Sequence, residues 1–294
     1  MNEEHGTEMD QGAEEETKAP EVIPAFSSLD DEKIDFELPV GSWDLAGNYY
    51  RKVQISELGP KVRRKIGRPD ILNHPGKLTT HSLALVLGFP HYQFADEKQE
   101  RKVLVRSMYS ADRSACVLAI RKVTKGEDSE IVQRSECGFC GNRVDIFTAP
   151  SEIKTVRIED TGYKKDDTLK EWVLVVEAFG HTARLKLARG FEEEGLSVDQ
   201  IRNINDSSMA VLAACTIDFD GDPVDFEFYD RLRTKISDAI MDQFLDNQPG
   251  PDVFSSVRCN SCNRTFDYGV DPSDFLLPSA GQRRFGRRGG RSRN

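Results

Sequence analysis

The sequence has no run of about 18 apolar residues, so no membrane-spanning helix is expected. Its opening, MNEEHGTEMDQGAEEETKAPEVIP, is acidic and carries no apolar core, which excludes a secretion signal there. A reducing compartment is then expected, and six cysteines are not read as a disulfide framework. Catalytic signatures are missing too. There is no G-x-S-x-G, no H-E-x-x-H and no Gly-rich dinucleotide fingerprint after a strand. HPGKLTT comes nearest to a phosphate-binding loop but has Ile71 where the first glycine belongs. The five histidines, His5, His74, His81, His91 and His181, show no ligand spacing. A non-enzymatic protein is expected.

Two Cys-x-x-Cys pairs are present, in RSECGFCGNRV and SVRCNSCNRTF. Cys259 lies 122 residues after Cys137, and Cys262 lies 122 residues after Cys140. At that offset SADRSACVLAIRKVTKGEDSEIVQRSECGFCGNRVDIF aligns without gaps to LRTKISDAIMDQFLDNQPGPDVFSSVRCNSCNRTFDYG. Each stretch opens on a helix pattern in which Ala115, Leu118 and Ala119 match Ser237, Ile240 and Met241. A turn segment follows, TKGED or NQPGPD, then a short strand, the cysteine pair and a second short strand. Upstream, KLTTHSLALVLGFP matches NDSSMAVLAACTIDFDG and YYRKVQISEL matches HTARLKLARG, with the offset grown to about 132 by insertions and deletions. The chain therefore reads as a diverged duplication.

The predicted class is α+β, each half a β-hairpin plus helices and one Cys-x-x-Cys knuckle. Two thiolates from one half would leave a metal open. Cys137, Cys140, Cys259 and Cys262 together would close one tetrahedron of four sulfurs, the ligand set of a structural zinc. Gly141 and Asn263 suit the tight turn after each second ligand. The rival reading is dithiol redox exchange, which needs the first cysteine at a helix N-terminus; strand patterns flank both pairs here. Cys116 and Cys215 fall in apolar helical patterns and read as buried free thiols.

The expected organisation is an acidic disordered tail over 1–34, a first half over 35–156, a second over 157–280 and a disordered Arg/Gly-rich tail over 281–294. LPVGSW and YYRKVQI are strand-like about a turn at Asp44–Asn48, and ELGPKVRRKIGRPDI is a short helix punctuated by Pro60 and Gly67. IDFDGDPVDFEF holds Asp218, Asp220 and Asp222. Its glycine follows the second acid rather than the third, which is wrong for a calcium loop; Asp-Gly there reads as a tight hairpin turn. In GQRRFGRRGGRSRN, Arg283, Arg284, Arg287, Arg288, Arg291 and Arg293 would neutralise nucleic-acid phosphates or meet an acidic partner surface. The net charge of −10 weighs against nucleic acid as the main partner.

LPVGSWDLAGNYYRKVQISEL, ADRSACVLAIRKVTKGE, ECGFCGN, DFDGDPV and GPDVFSSVRCNSCNRTFDYGVDPSDFLLP, in that order, resemble bacteriophage tail proteins. The family includes the baseplate-hub assembly protein of T-even phages and similar tail-assembly proteins of Mu-like phages. The resemblance spans roughly residues 35–280 and is most specific from Pro249 to Pro278; Asn263 departs from the glycine usual after a knuckle's second ligand. It implies a hub component or tail-assembly chaperone that binds hub, tape-measure or other baseplate proteins. Its place would be the host cytoplasm during assembly, and in one version the virion. The alternative is a zinc-ribbon nucleic-acid-binding adaptor that uses the arginine tail.

Overall fold

The structure is a computed structural model that describes residues 33–67, 71, 74–195, 204–225, 227–269 and 276. Most of the acidic tail lies outside these residues. So does the arginine-rich tail, with Arg283, Arg284, Arg287, Arg288, Arg291 and Arg293. Among the described residues no helix is long and apolar enough to cross a membrane.

The chain runs β1 (Ile34–Trp43), β2 (Tyr49–Ile55), α1 (Pro60–Ile66), α2 (Pro75–Val86), β3 (Leu87–Gly88), α3 (Glu97–Ser107), α4 (Ser110–Lys125), β4 (Ile131–Glu136) and β5 (Arg143–Thr148). A linking stretch holds β6 (Thr155–Val156) and β7 (Lys164–Asp166). The order then repeats: β8 (Glu171–Ala178), β9 (His181–Lys186), α5 (Gly190–Gly195), α6 (Ile204–Cys215), β10 (Thr216–Phe219), α7 (Phe228–Arg231), α8 (Thr234–Asp246), β12 (Phe254–Arg258) and β13 (Thr265–Gly269), with β11 (Gly250–Pro251) before the last hairpin. The sheets repeat as well. β1-β2-β3 in the first half is answered by β8-β9-β10 in the second, extended by β7 at its edge. The fold is α+β and internally duplicated.

Local chemistry explains the boundaries. Asp44 Oδ1 accepts the backbone N–H groups of Ala46 and Asn48 at 2.9 and 2.8 Å, which closes the β1–β2 turn. α1 opens on Pro60, whose missing N–H is not needed in a first turn, and ends at Gly67. Asp96 caps α3 by accepting from the Gln99 N–H. Asp220 and Gly221 both have left-handed φ (53° and 87°), and Phe219 and Asp222 exchange two backbone hydrogen bonds across them. The Asp-Gly turn is therefore present, but no hairpin follows among the described residues. β10 pairs back onto β9, and after the turn a lone bridge at Asp222 takes the place of a strand. The stretch NQPGPD, expected as a turn, includes β11, which pairs with β6.

Two apolar cores fill the molecule. Leu38, Val53, Ile55, Leu83, Leu104 and Ile120 belong to one, Val176, Leu185, Leu212, Ile240 and Phe244 to the other. The division does not follow the halves strictly. The β1–β2 register is irregular between Glu37 and Ser42, and Gly41 takes φ +82° in a space already filled by the Tyr49 and Arg51 side chains. Leu38 thus packs in the first core while Val40 and Trp43, from the same strand, pack in the second together with Tyr109. In return α5 lies across the first half. Glu193 pairs with Arg113, which has no exposed surface, and Glu194 pairs with Arg106. Arg113 also donates from its two Nη groups to Thr80 Oγ1 and to the carbonyls of Val105 and Gly76, so its buried charge is paired and both Nη groups are hydrogen-bonded.

Candidate metal centre

β4 and β5 pair antiparallel from Ile131↔Thr148 to Glu136↔Arg143, and Cys137–Cys140 forms the tip that joins them. β12 and β13 pair from Phe254↔Gly269 to Arg258↔Thr265 around Cys259–Cys262. The two tips are built bond for bond alike. Cys137 N–H donates to Asn142 O at 2.8 Å and Gly141 N–H to Cys137 O at 2.8 Å. Cys259 N–H donates to Arg264 O and Asn263 N–H to Cys259 O, each at 2.9 Å. Each pair of bonds requires a left-handed residue after the second cysteine. Gly141 supplies φ 69°, and Asn263 supplies φ 61° in the one region where asparagine substitutes readily for glycine.

Such a turn sets both sulfurs on one side, and the two tips face each other. Cys137 Sγ lies 3.7 Å from Cys262 Sγ, and Cys140 Sγ lies 3.7 Å from Cys259 Sγ. All four sulfurs lie within 4.8 Å of one another. A tetrahedron with metal–sulfur bonds of about 2.3 Å has edges of about 3.8 Å, so the four sulfurs already stand close to the vertices of a four-thiolate site. Cys137 and Cys259 are buried, Cys262 is half-buried and Cys140 is exposed. Val144 and Ile146 pack beneath, with Val257, Phe266 and Tyr268 partly buried against them. The Arg264 guanidinium of one tip lies 5.1 Å from the centre of the Phe139 ring of the other, a cation–π contact across the pair.

The protonation of the thiols is unequal without an ion. The backbone N–H groups of Cys262 and Ser261 pull Cys259 down to about 7. Cys140 receives a thiolate-favouring N–H from Asn142, yet partial loss of water at the cluster and hydrogen bonds with the other three thiols push it up to about 12. Crowded sulfurs do not all ionise together, and a divalent cation among them removes that conflict by taking four thiolates as ligands. The four cysteines can hold one metal ion with every position supplied by the chain.

Cys116 and Cys215 do not join the cluster. Both are buried in the apolar cores, where burial pushes their thiols well above the usual range. Each pair is preceded by a strand, not seated at a helix N-terminus, so the dipole that activates a redox dithiol is absent. The cross-tip contact of Phe139 and Arg264 was not anticipated from the sequence. Its only signal there is an aromatic inside CGFC and an arginine two residues after the second pair.

No family model, curated protein or solved structure matches the chain. The class that fold and site define is a duplicated α+β protein whose two hairpin tips converge on one four-cysteine centre.

Proposed function

We propose that the four cysteines hold a structural zinc and that the protein is a bacteriophage tail or baseplate assembly component. It works without catalysis, as a hub component or tail-assembly chaperone that binds other tail proteins. The observation that carries this reading is the closed ligand set, two sulfurs from each half. A catalytic zinc keeps a position for water or substrate, whereas four thiolates leave none and make the ion a cross-link. An assembly factor must present one fixed surface to its partners, and a zinc cross-link contributes on the order of 10 kcal/mol in small modules. The ordered resemblance over roughly residues 35–280 supplies the tail assignment. Location in the host cytoplasm during assembly goes with it.

A tagged chain recovered from phage-infected cells is expected to bring down hub, tape-measure or other baseplate proteins. Recovery without tail proteins would remove the assembly reading and leave the metal site standing.

A further inference from the structure

A cavity of about 310 Å³, partly open to solvent, lies between β1, α4 and the stretch that links the two halves. Phe36 on β1, Leu118 and Ala119 on α4 and Ile153 in the link supply apolar wall, while Lys122 on α4 and Thr155 on β6 are the two polar residues of the lining. The fold sets these walls in place. Phe36 is fixed by its register opposite Val53 in the β1–β2 pair. Thr155 lies opposite Pro251 in the β6–β11 pair, and the Asp252 N–H donates to Lys154 O at 2.7 Å. Gly250 of β11 lies so close to α4 that an added Cβ would stand 2.9 Å from the Ala111 Cβ, which seats β11, and β6 with it, against that helix.

The second half shows why the space is left. At the offset of 122, Ala115, Leu118, Ala119 and Lys122 on α4 correspond to Ser237, Ile240, Met241 and Phe244 on α8. All four α8 residues are buried, and Ile240, Met241 and Phe244 belong to the second core. α4 therefore has a methyl group where α8 has a thioether side chain. It has a half-buried lysine where α8 has a phenyl ring. Close-packed interiors leave few voids larger than a water molecule. Here the shorter side chains leave a larger one, apolar over most of its wall and with one cation in its lining.

We infer that this cavity binds a small amphipathic monocarboxylate, its alkyl part against Phe36, Leu118, Ala119 and Ile153 and its carboxylate on Lys122. Small-ligand sites combine apolar walls with a few polar groups, and about 300 Å³ is the lower end of their size range. Burial of the alkyl part supplies affinity in proportion to the apolar area taken out of water. Lys122 supplies the preference for one negative charge, and the Thr155 hydroxyl is a second donor in the lining. A dianion such as phosphate would meet one ammonium and then apolar wall, which does not repay its loss of water. This site depends on neither the metal nor the tail-assembly assignment.

The test titrates the full chain at neutral pH with hexanoate, hexanol and hexylamine and follows its amide shifts by heteronuclear NMR. Ligands of this size are expected to bind with roughly millimolar affinity. Hexanoate should bind about fivefold more tightly than hexanol, with hexylamine weakest. The shifts should fall on 115–122 and 150–155. Lys122→Met, which keeps an apolar stem, should remove the preference for hexanoate over hexanol. Ala119→Met, which gives α4 the residue that α8 has, should fill the cavity and abolish binding of both, with the thermal midpoint showing that the fold survives. If that variant does not fold, Lys122→Met decides alone. No hexanoate binding up to about 50 mM overturns the inference. So does hexylamine binding as tightly as hexanoate, an unchanged preference in Lys122→Met, or shifts confined to other parts of the chain.

Discussion

Leu83 and Leu185 lie in the two cores with no exposed surface, each among many buried aliphatic and aromatic neighbours. Beneath the hairpin tips the buried members are two aliphatic side chains, Val144 and Ile146, and two of the cysteines themselves. Burying an aliphatic side chain contributes about 1.5–3 kcal/mol, so the cores are held by the sum of many such terms and the tips are not. What the tips have is four sulfurs at the spacing of a metal tetrahedron. The difference teaches where a metal is useful: at the place where two short hairpins must be fixed to each other and too little apolar surface is available to do it.

The contrast can be broken most severely at the sulfurs. Cys137→Ser combined with Cys262→Ser is expected to abolish metal retention and to release a stabilisation on the order of 10 kcal/mol from the tips. Hydrogen exchange should then speed up over 131–148 and 254–269 while the amides of β2 and β8 stay protected. Equal loss of protection everywhere would mean that the tips and cores are one cooperative unit. Leu185→Ala is the opposite experiment. It should cost about 4 kcal/mol in chemical denaturation and lower protection of the second core, with metal content unchanged.

A smaller effect sharpens the comparison inside a core. Asp112 is fully buried and accepts the Val40 N–H at 2.8 Å. Burial outweighs the backbone N–H groups of Val40 and Gly41 and pushes its carboxyl from 3.8 up to about 7. The folded state therefore holds a proton that the unfolded state releases, and folding takes one up between about pH 4 and 7. Stability is expected to fall as pH rises through that window, and Asp112→Asn, which keeps an acceptor for Val40, should flatten the decline. The smallest effect lies at Asn263. An alanine at φ 61° should cost about 1 kcal/mol, confined to the second tip, whereas Asn263→Gly should be neutral; thermal melting of the metal-loaded chain reads both.

The tips and the repeat were legible because their constraints are local and periodic. Two equal spacings of 122 residues place the cysteines in register, and alternation in RVDIF marks which side chains of β5 turn inward. The helix faces were legible for the same reason, since Ala115, Leu118 and Ala119 are buried and so are Ser237, Ile240 and Met241. What packs on what was not. LPVGSW reads as a strand, but nothing in it says that an irregularity at Gly41 sends Val40 and Trp43 into the other half's core. Nothing within GFEEEG says that Glu193 meets Arg113, 80 residues earlier in the chain. The Asp-Gly turn was legible from its φ requirement, while the pairing of β10 with β9, rather than with a strand after the turn, was not.

The central claim is that the two halves share one ion. Metal analysis of the purified chain, paired with X-ray absorption at the zinc edge, tests it directly. One zinc per chain with four sulfur neighbours at about 2.3 Å is the expected result. Two zinc ions per chain, or a first shell containing oxygen or nitrogen, would contradict it.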